Sequence, residues 1–179
     1  MQSLVLPEIN IPDHVTTTPL GTITVPGVSI PERMVMIEPA LVKQLIDAAR
    51  LATETAYNNF PGTYFPVGAA CIMADDGEQE IFSAANCENG VLNAGVCAER
   101  ALLHYVVSKG FRRIKYIAVT TPHREKALSL RSPCGLCRQT ISEFADDNTL
   151  IIIDHQAPGV LADIVDINRL LPYRYKLEL

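Results

Sequence analysis

The chain has 179 residues, 48 % hydrophobic and 20 % charged, with 15 basic against 20 acidic side chains. That is one domain's length with room for an arm, and it holds a full core without covalent staples. A net charge of −5 with no basic cluster removes the electrostatic footprint expected of polynucleotide or anionic-lipid binding.

A membrane span needs about 20 mostly apolar residues, and the longest charge-free stretch, 55–74, is broken by Pro61, Gly62, Pro66 and Gly68. The N-terminus lacks the basic-then-apolar layout of a signal peptide, so the expected location is cytoplasmic. Five cysteines are an odd count, which suits metal ligands or packed thiols better than a disulfide framework.

Residues 1–36 hold Pro7, Pro12, Pro19, Pro26 and Pro31 between β-branched runs. Prolines at this spacing prevent a helix and cannot donate in a central strand, so an extended arm is expected, loose or laid against a neighbour. The compact domain is placed at 37–179. Leu41, Leu45, Ala48, Leu51 and Ala52 recur at helical spacing behind Pro39. Tyr64 to Met73 reads as a strand, Asp75-Asp76-Gly77 as a turn and Ile81 to Glu88 as its hairpin partner. Val96 to Ser108 is helical, with Gly110 past its end. Ile114 to Thr121 is a buried strand, Pro133 to Phe144 a helix and Thr149 to Ile153 another buried strand. A short helix covers Ile167 to Leu171. Helices alternating with buried strands point to an α/β layered domain around one mixed sheet.

Two segments carry the chemistry, Cys97-Ala98-Glu99-Arg100 and Ser132-Pro133-Cys134-Gly135-Leu136-Cys137-Arg138-Gln139, each where a helix begins. Free amides and the positive end of the dipole favour thiolate there. Cys134 and Cys137, three apart, share one face of a first turn, and Cys97 brings a third sulfur from another helix. Three thiolates leave one position of a tetrahedral zinc shell for water, as in catalytic sites. Glu99 stands where a proton shuttle is needed. Three thiolates on Zn²⁺ sum to −1, and Arg100 and Arg138, adjacent to the ligand segments, are candidates to draw off that charge.

A C-x-E segment followed downstream by P-C-x-x-C resembles the signature of the zinc nucleobase deaminases. The nearer resemblance is to the small free-nucleoside cytidine deaminases. It is carried by Phe65-Pro66-Val67-Gly68-Ala69-Ala70, by Asn86-Cys87-Glu88-Asn89, by the two zinc segments in family order and by Leu170-Leu171-Pro172. It implies a three-layer α/β/α fold around one mixed five-stranded sheet, with one Zn²⁺ per chain on Cys97, Cys134 and Cys137. Glu99 would move the protons. Asn86 and Glu88 would meet the ribose, Phe65 would pack near the pyrimidine and the Ala98 amide would meet its carbonyl. The reaction implied is hydrolytic loss of the 4-amino group of cytidine or deoxycytidine, a step of pyrimidine salvage, in a homotetramer.

Three departures lie where the pocket is expected to be shaped: Gly62-Thr63-Tyr64 before Phe65, Gly90-Val91-Leu92-Asn93 after Asn89, and Tyr175, where a neighbour's phenylalanine usually covers the base. They leave open another aminopyrimidine nucleoside, modified or blasticidin-type. A silent zinc-stabilised nucleoside-binding module is the alternative from another class, against which Glu99 speaks. A lone C-x-x-C is more often structural or redox; the third cysteine and the glutamate favour catalysis. Cys71 and Cys87 read as packed strand thiols. His14, His104, His123 and His155 lack metal spacing and read as structural or exposed.

Overall fold

Alternation along the central strands decides which side chains meet which layer. In the computed structural model, which describes residues 1–58 and 64–176, the chain divides into two compact units, Met1–Pro39 and Ala40–Leu179.

The first unit is a ribbon. Strands β1 (Gln2–Leu6), β2 (Ile9–Ile11) and β3 (His14–Thr18) run out, and β4 (Gly21–Val25), β5 (Val28–Ile30) and β6 (Arg33–Ile37) return. They pair antiparallel as β1–β6, β2–β5 and β3–β4. One register runs through from Gln2↔Ile37 to Thr18↔Gly21. The arm expected to be loose or laid on a neighbour therefore pairs with itself. Every proline falls in a gap between strands, where no ladder donor is missed.

In the second unit α1 (Pro39–Ala52) precedes β7 (Gly68–Met73) and β8 (Phe82–Ala85). Then come α2 (Ala98–Ser108), β9 (Ile114–Thr120), α3 (Leu128–Arg131), α4 (Gly135–Phe144), β10 (Ala145–Ala157), β11 (Val160–Val165) and α5 (Ile167–Leu170). The sheet order is β11-β10-β9-β7-β8; β9 and β10 are parallel and the other pairs antiparallel. Ala69, Cys71, Ile117, Ile151 and Ile153 face one way, against Ala98, Leu102, Val106 of α2, Ile141 of α4 and Ile167 of α5. The intervening Ala70, Ile72, Ala118 and Ile152 face Val42, Leu45, Ile46 and Ala49 of α1. The period of two thus builds a three-layer α/β/α stack, as the resemblance implied. A Cβ on Gly68 would lie 1.9 Å from the Ala49 carbonyl oxygen, so α1 packs at this distance only over glycine.

Several boundaries differ from those read in the sequence. β7 begins at Gly68 rather than Tyr64, because the Val67 amide is bonded by the Asn86 side chain at 2.8 Å instead of a ladder partner. α2 begins at Ala98 rather than Val96, whose amide and carbonyl bridge to Cys87. Pro133 stands one residue ahead of the α4 cap, Cys134. β10 is longer at both ends than 149–153. β11 and α3 were not read, being short and partly polar. Cys71 is buried as expected, but Cys87 is exposed, since it sits in an isolated bridge and not inside a strand. No helix among the described residues is long and apolar enough to cross a membrane.

Candidate active site

Cys97 and Cys134 are the N-cap residues of α2 and α4, both in extended conformation, and neither side chain caps its own helix. The sulfurs are therefore free to turn towards each other while the helices aim unpaired amides at them. Cys137 follows within the first turn of α4. Among the described residues these three form a candidate metal group, with ligand atoms within 4.8 Å of one another. Tetrahedral thiolates on zinc stand about 3.8 Å apart, so the donor set suits a soft divalent ion with small adjustments.

The thiols polarise one another. A hydrogen bond from Cys137 is the main cause lowering Cys97 to about 6, with help from Cys134 and the Arg100 charge. The same bond pushes Cys137 up. Cys97, so lowered, readily exchanges its proton for a cation. Glu99, in the first turn of α2 and 3 % exposed, is pushed up to about 7, chiefly by burial and further by the Cys97 charge. A carboxyl poised near neutrality can both take and give a proton.

A cavity of about 190 Å³ opens against this cluster, reached by Cys97, Glu99 and Cys134. Phe65, Val67, Val119 and Leu130 supply apolar lining, and Asn86, Glu88, Thr121 and Ser132 polar groups. Asn86, just past β8, is 3 % exposed. Its Oδ1 accepts from the Val67 amide at 2.8 Å, and its Nδ2 donates to the Phe65 carbonyl and to Glu88 Oε1, both at 3.0 Å. The residue thus fixes the Phe65 segment and aims Glu88. Ala98 is fully buried at the first turn of α2.

The structure brings Cys97, Cys134, Cys137, Glu99, Phe65, Asn86 and Glu88 together and separates others. Arg100 acts on Cys97 through its charge. Arg138 makes no bond to the thiols: it donates to the Pro133 carbonyl at 2.8 Å, the Leu170 carbonyl at 2.9 Å and Ser132 Oγ at 2.9 Å. It steadies the ligand loop instead of drawing charge from sulfur. Tyr175 is 67 % exposed and does not line its own chain's cavity; its backbone exchanges two hydrogen bonds with the Gln139 side chain. Tyr64, Gly90, Val91 and Asn93 are also absent from the lining; a tight turn occupies 92–94. Gly62 and Thr63 lie outside the described residues.

Sequence reasoning missed the wall 130–132, Thr121 and His123, whose ring lies 5.3 Å from that of Phe65. Apart from Ser132, none of these belongs to a motif. The one available signal is the charged Arg131 next to Leu130 and directly ahead of a ligand segment.

Residues 42–153 match the family model described as the cytidine and deoxycytidylate deaminase zinc-binding region. The chain is 34 % identical to a cytidine deaminase of Sporosarcina psychrophila over 137 residues, 76 % of this chain and 93 % of that protein. It is 31 % identical to a blasticidin-S deaminase of Bacillus cereus, over 74 % of this chain and 93 % of that one. Among solved structures, a cytidine deaminase from Burkholderia pseudomallei superposes with a TM-score of 0.63 at 28 % identity, covering 78 % of this chain and all of the other.

Proposed function

The chain belongs to the cytidine and deoxycytidylate deaminase family, and on that premise we propose that it is a zinc-dependent hydrolase removing the 4-amino group of free cytidine or deoxycytidine. The carrying observation is Glu99, a buried carboxyl held near neutrality beside three converging thiols at one cavity.

Cys97, Cys134 and Cys137 would hold the metal. Zinc, when bound, supplies the Lewis acidity that makes water nucleophilic at neutral pH. Glu99 takes the proton of the attacking water and passes it to N3, which makes C4 electrophilic. It then carries a second proton to the departing amine, so cytidine and water leave as uridine and ammonia. The Ala98 amide meets the pyrimidine carbonyl and Phe65 packs against the ring. Glu88 accepts from the ribose hydroxyls, and Asn86 joins by exchanging its Glu88 bond for a hydroxyl.

A nucleoside is favoured over a nucleotide. The cavity presents the Glu88 carboxylate, and its one lining cation among the described residues, Arg131, is 4 % exposed with three acceptors already engaged. Among the described lining residues a 5′-phosphate would meet no free cation there. The deaminase function is assigned to 37–179 with the arm 1–36 outside it. The working form is taken as a homotetramer on the family pattern, with Tyr175 offered to a neighbouring site. A second reading, an aminopyrimidine nucleoside other than cytidine, is favoured by the likeness to the blasticidin-S deaminase.

Zinc content measured beside an ultraviolet deamination assay tests the proposal, over cytidine, deoxycytidine, cytosine, CMP and blasticidin-type nucleosides. One zinc per chain with turnover of cytidine but not CMP is expected. Zinc with turnover confined to another aminopyrimidine keeps the chemistry and rejects the substrate. Nucleoside binding without product from any member revives the silent module. Glu99→Gln should keep its zinc and lose turnover by about a hundredfold or more.

A further inference from the structure

The segment that ends at Cys134 is fastened twice, by two arginines that share no acceptor. Downstream, Arg138 holds the Ser132 hydroxyl and the Pro133 carbonyl. Upstream, Arg131 sits in the cavity wall between Leu130 and Ser132. Its Nε donates to the Lys126 carbonyl at 2.7 Å, its Nη1 to the Asp154 carbonyl at 2.8 Å and its Nη2 to Asp163 Oδ2 at 2.6 Å. One acceptor lies in the same loop, one on β10 and one on β11.

The β10 anchor is itself fixed. The Asp154 carboxylate takes two bonds from Arg50, at 2.8 and 2.7 Å, and one from Thr120 Oγ1 at 2.6 Å. A planar guanidinium reaches three divergent acceptors at once, which a lysine ammonium on one stem cannot reproduce.

We propose that Arg131 is a positioning residue that sets the substrate wall at Leu130, separately from the Arg138 clamp that holds Ser132, Pro133 and the metal ligands beyond them. The proposal rests on the deaminase reading for its kinetic signature and on the loop geometry for the rest. Because Arg138 secures Pro133 next to Cys134, loosening Arg131 moves the wall and leaves the thiol cluster in place. Its bonds are spent inside the protein, so its effect on substrate is indirect.

The test compares wild type with Arg131→Gln, Arg131→Lys and Asp163→Ala. Four quantities are read: KM and kcat for cytidine, zinc affinity by chelator competition, amide hydrogen exchange over 127–132, and Tm. Losing bonds to a buried cation should raise KM about tenfold with kcat within about threefold. Exchange over 127–132 should quicken about tenfold while zinc affinity holds, and the lysine variant should recover only part of the loss. Asp163 is partly exposed, so its removal takes away one bond and gives the same pattern more weakly, even where Arg131→Gln fails to fold.

A fall in Tm with KM and exchange unchanged reduces Arg131 to a structural residue and overturns the proposal. Zinc affinity falling in step with KM overturns the separation of the two clamps. If wild type turns over no nucleoside, the deaminase reading fails on its own. The latch then stands or falls on exchange over 127–132 alone, and unchanged exchange rejects it.

Discussion

A buried carboxyl beside sulfur gives the metal-free chain an unusual dependence on acidity. Glu99 titrates near 7 when folded and near its ordinary 4.5 when unfolded. Between those values the folded state therefore binds more protons than the unfolded state. Stability from this group is complete below about 4.5 and is lost as pH rises to about 7. Cys97 works in the opposite sense and higher up, since its folded value is about 6 against an ordinary 9. Its contribution is absent at low pH and grows from about 6 to 9. Urea midpoints of metal-free wild type and Glu99→Gln at pH 5 and pH 6 should show wild type losing ground to the variant. Parallel midpoints would mean that Glu99 titrates like an exposed glutamate.

At this same scale the reacting residues were legible because their spacing is itself a chemical requirement. Two sulfurs three apart and a glutamate two after a third can be found without a fold. Arg131 and Thr121 reach the cavity only because β9, β10 and the loop between them converge. No short-range pattern marks that. The position of Arg138 beside the ligand segment is legible in the sequence, but its bond to the Leu170 carbonyl is not, since only the fold brings that group within reach.

Among the elements, β7 does the most to place the site. Asn86 bonds the residues just before it, and β7 itself lies under α1 on one face and α2 on the other. Gly68→Ala puts a methyl group into the Ala49 carbonyl, and backbone on both sides leaves little give. Overpacking of this kind costs about 1–3 kcal/mol. For a chain of this size that is a fall of several degrees in Tm, measurable by calorimetry; an unchanged Tm would show that α1 slides freely over the strand. The buried strands are legible as short apolar, β-branched runs, because both their faces are covered. β11 is not, because it lies at the sheet edge, carries Asp163, and has no fully buried residue. α3 is too short for any helical period to show.

Across the whole molecule the arm is the part whose partner was least legible. Yet its prolines are placed symmetrically: Pro7 and Pro31 each lie 12 residues from Pro19, and Pro12 and Pro26 each lie 7. That mirror is the mark of a chain folding back on itself. A two-stranded ribbon is marginal alone in water. This one carries no charged residue from 14 to 31 and exposes Val15, Leu20, Ile23 and Val25. Association that covers such surface is expected. Deleting residues 1–36 should therefore lower the number of chains per particle in light scattering, and an unchanged number would exclude the arm from assembly.

The pairing of Gln2 with Ile37 also fixes how the ribbon answers to force. Its first and last paired residues lie side by side at the open end of the hairpin. Tension between them loads the cross-strand bonds one after another, from the base towards Leu20. The arm therefore peels open like a zipper, in small steps at the proline gaps, and resists far less than strands sheared along their length. A pull on the amino terminus is absorbed by this unit first, before tension reaches α1.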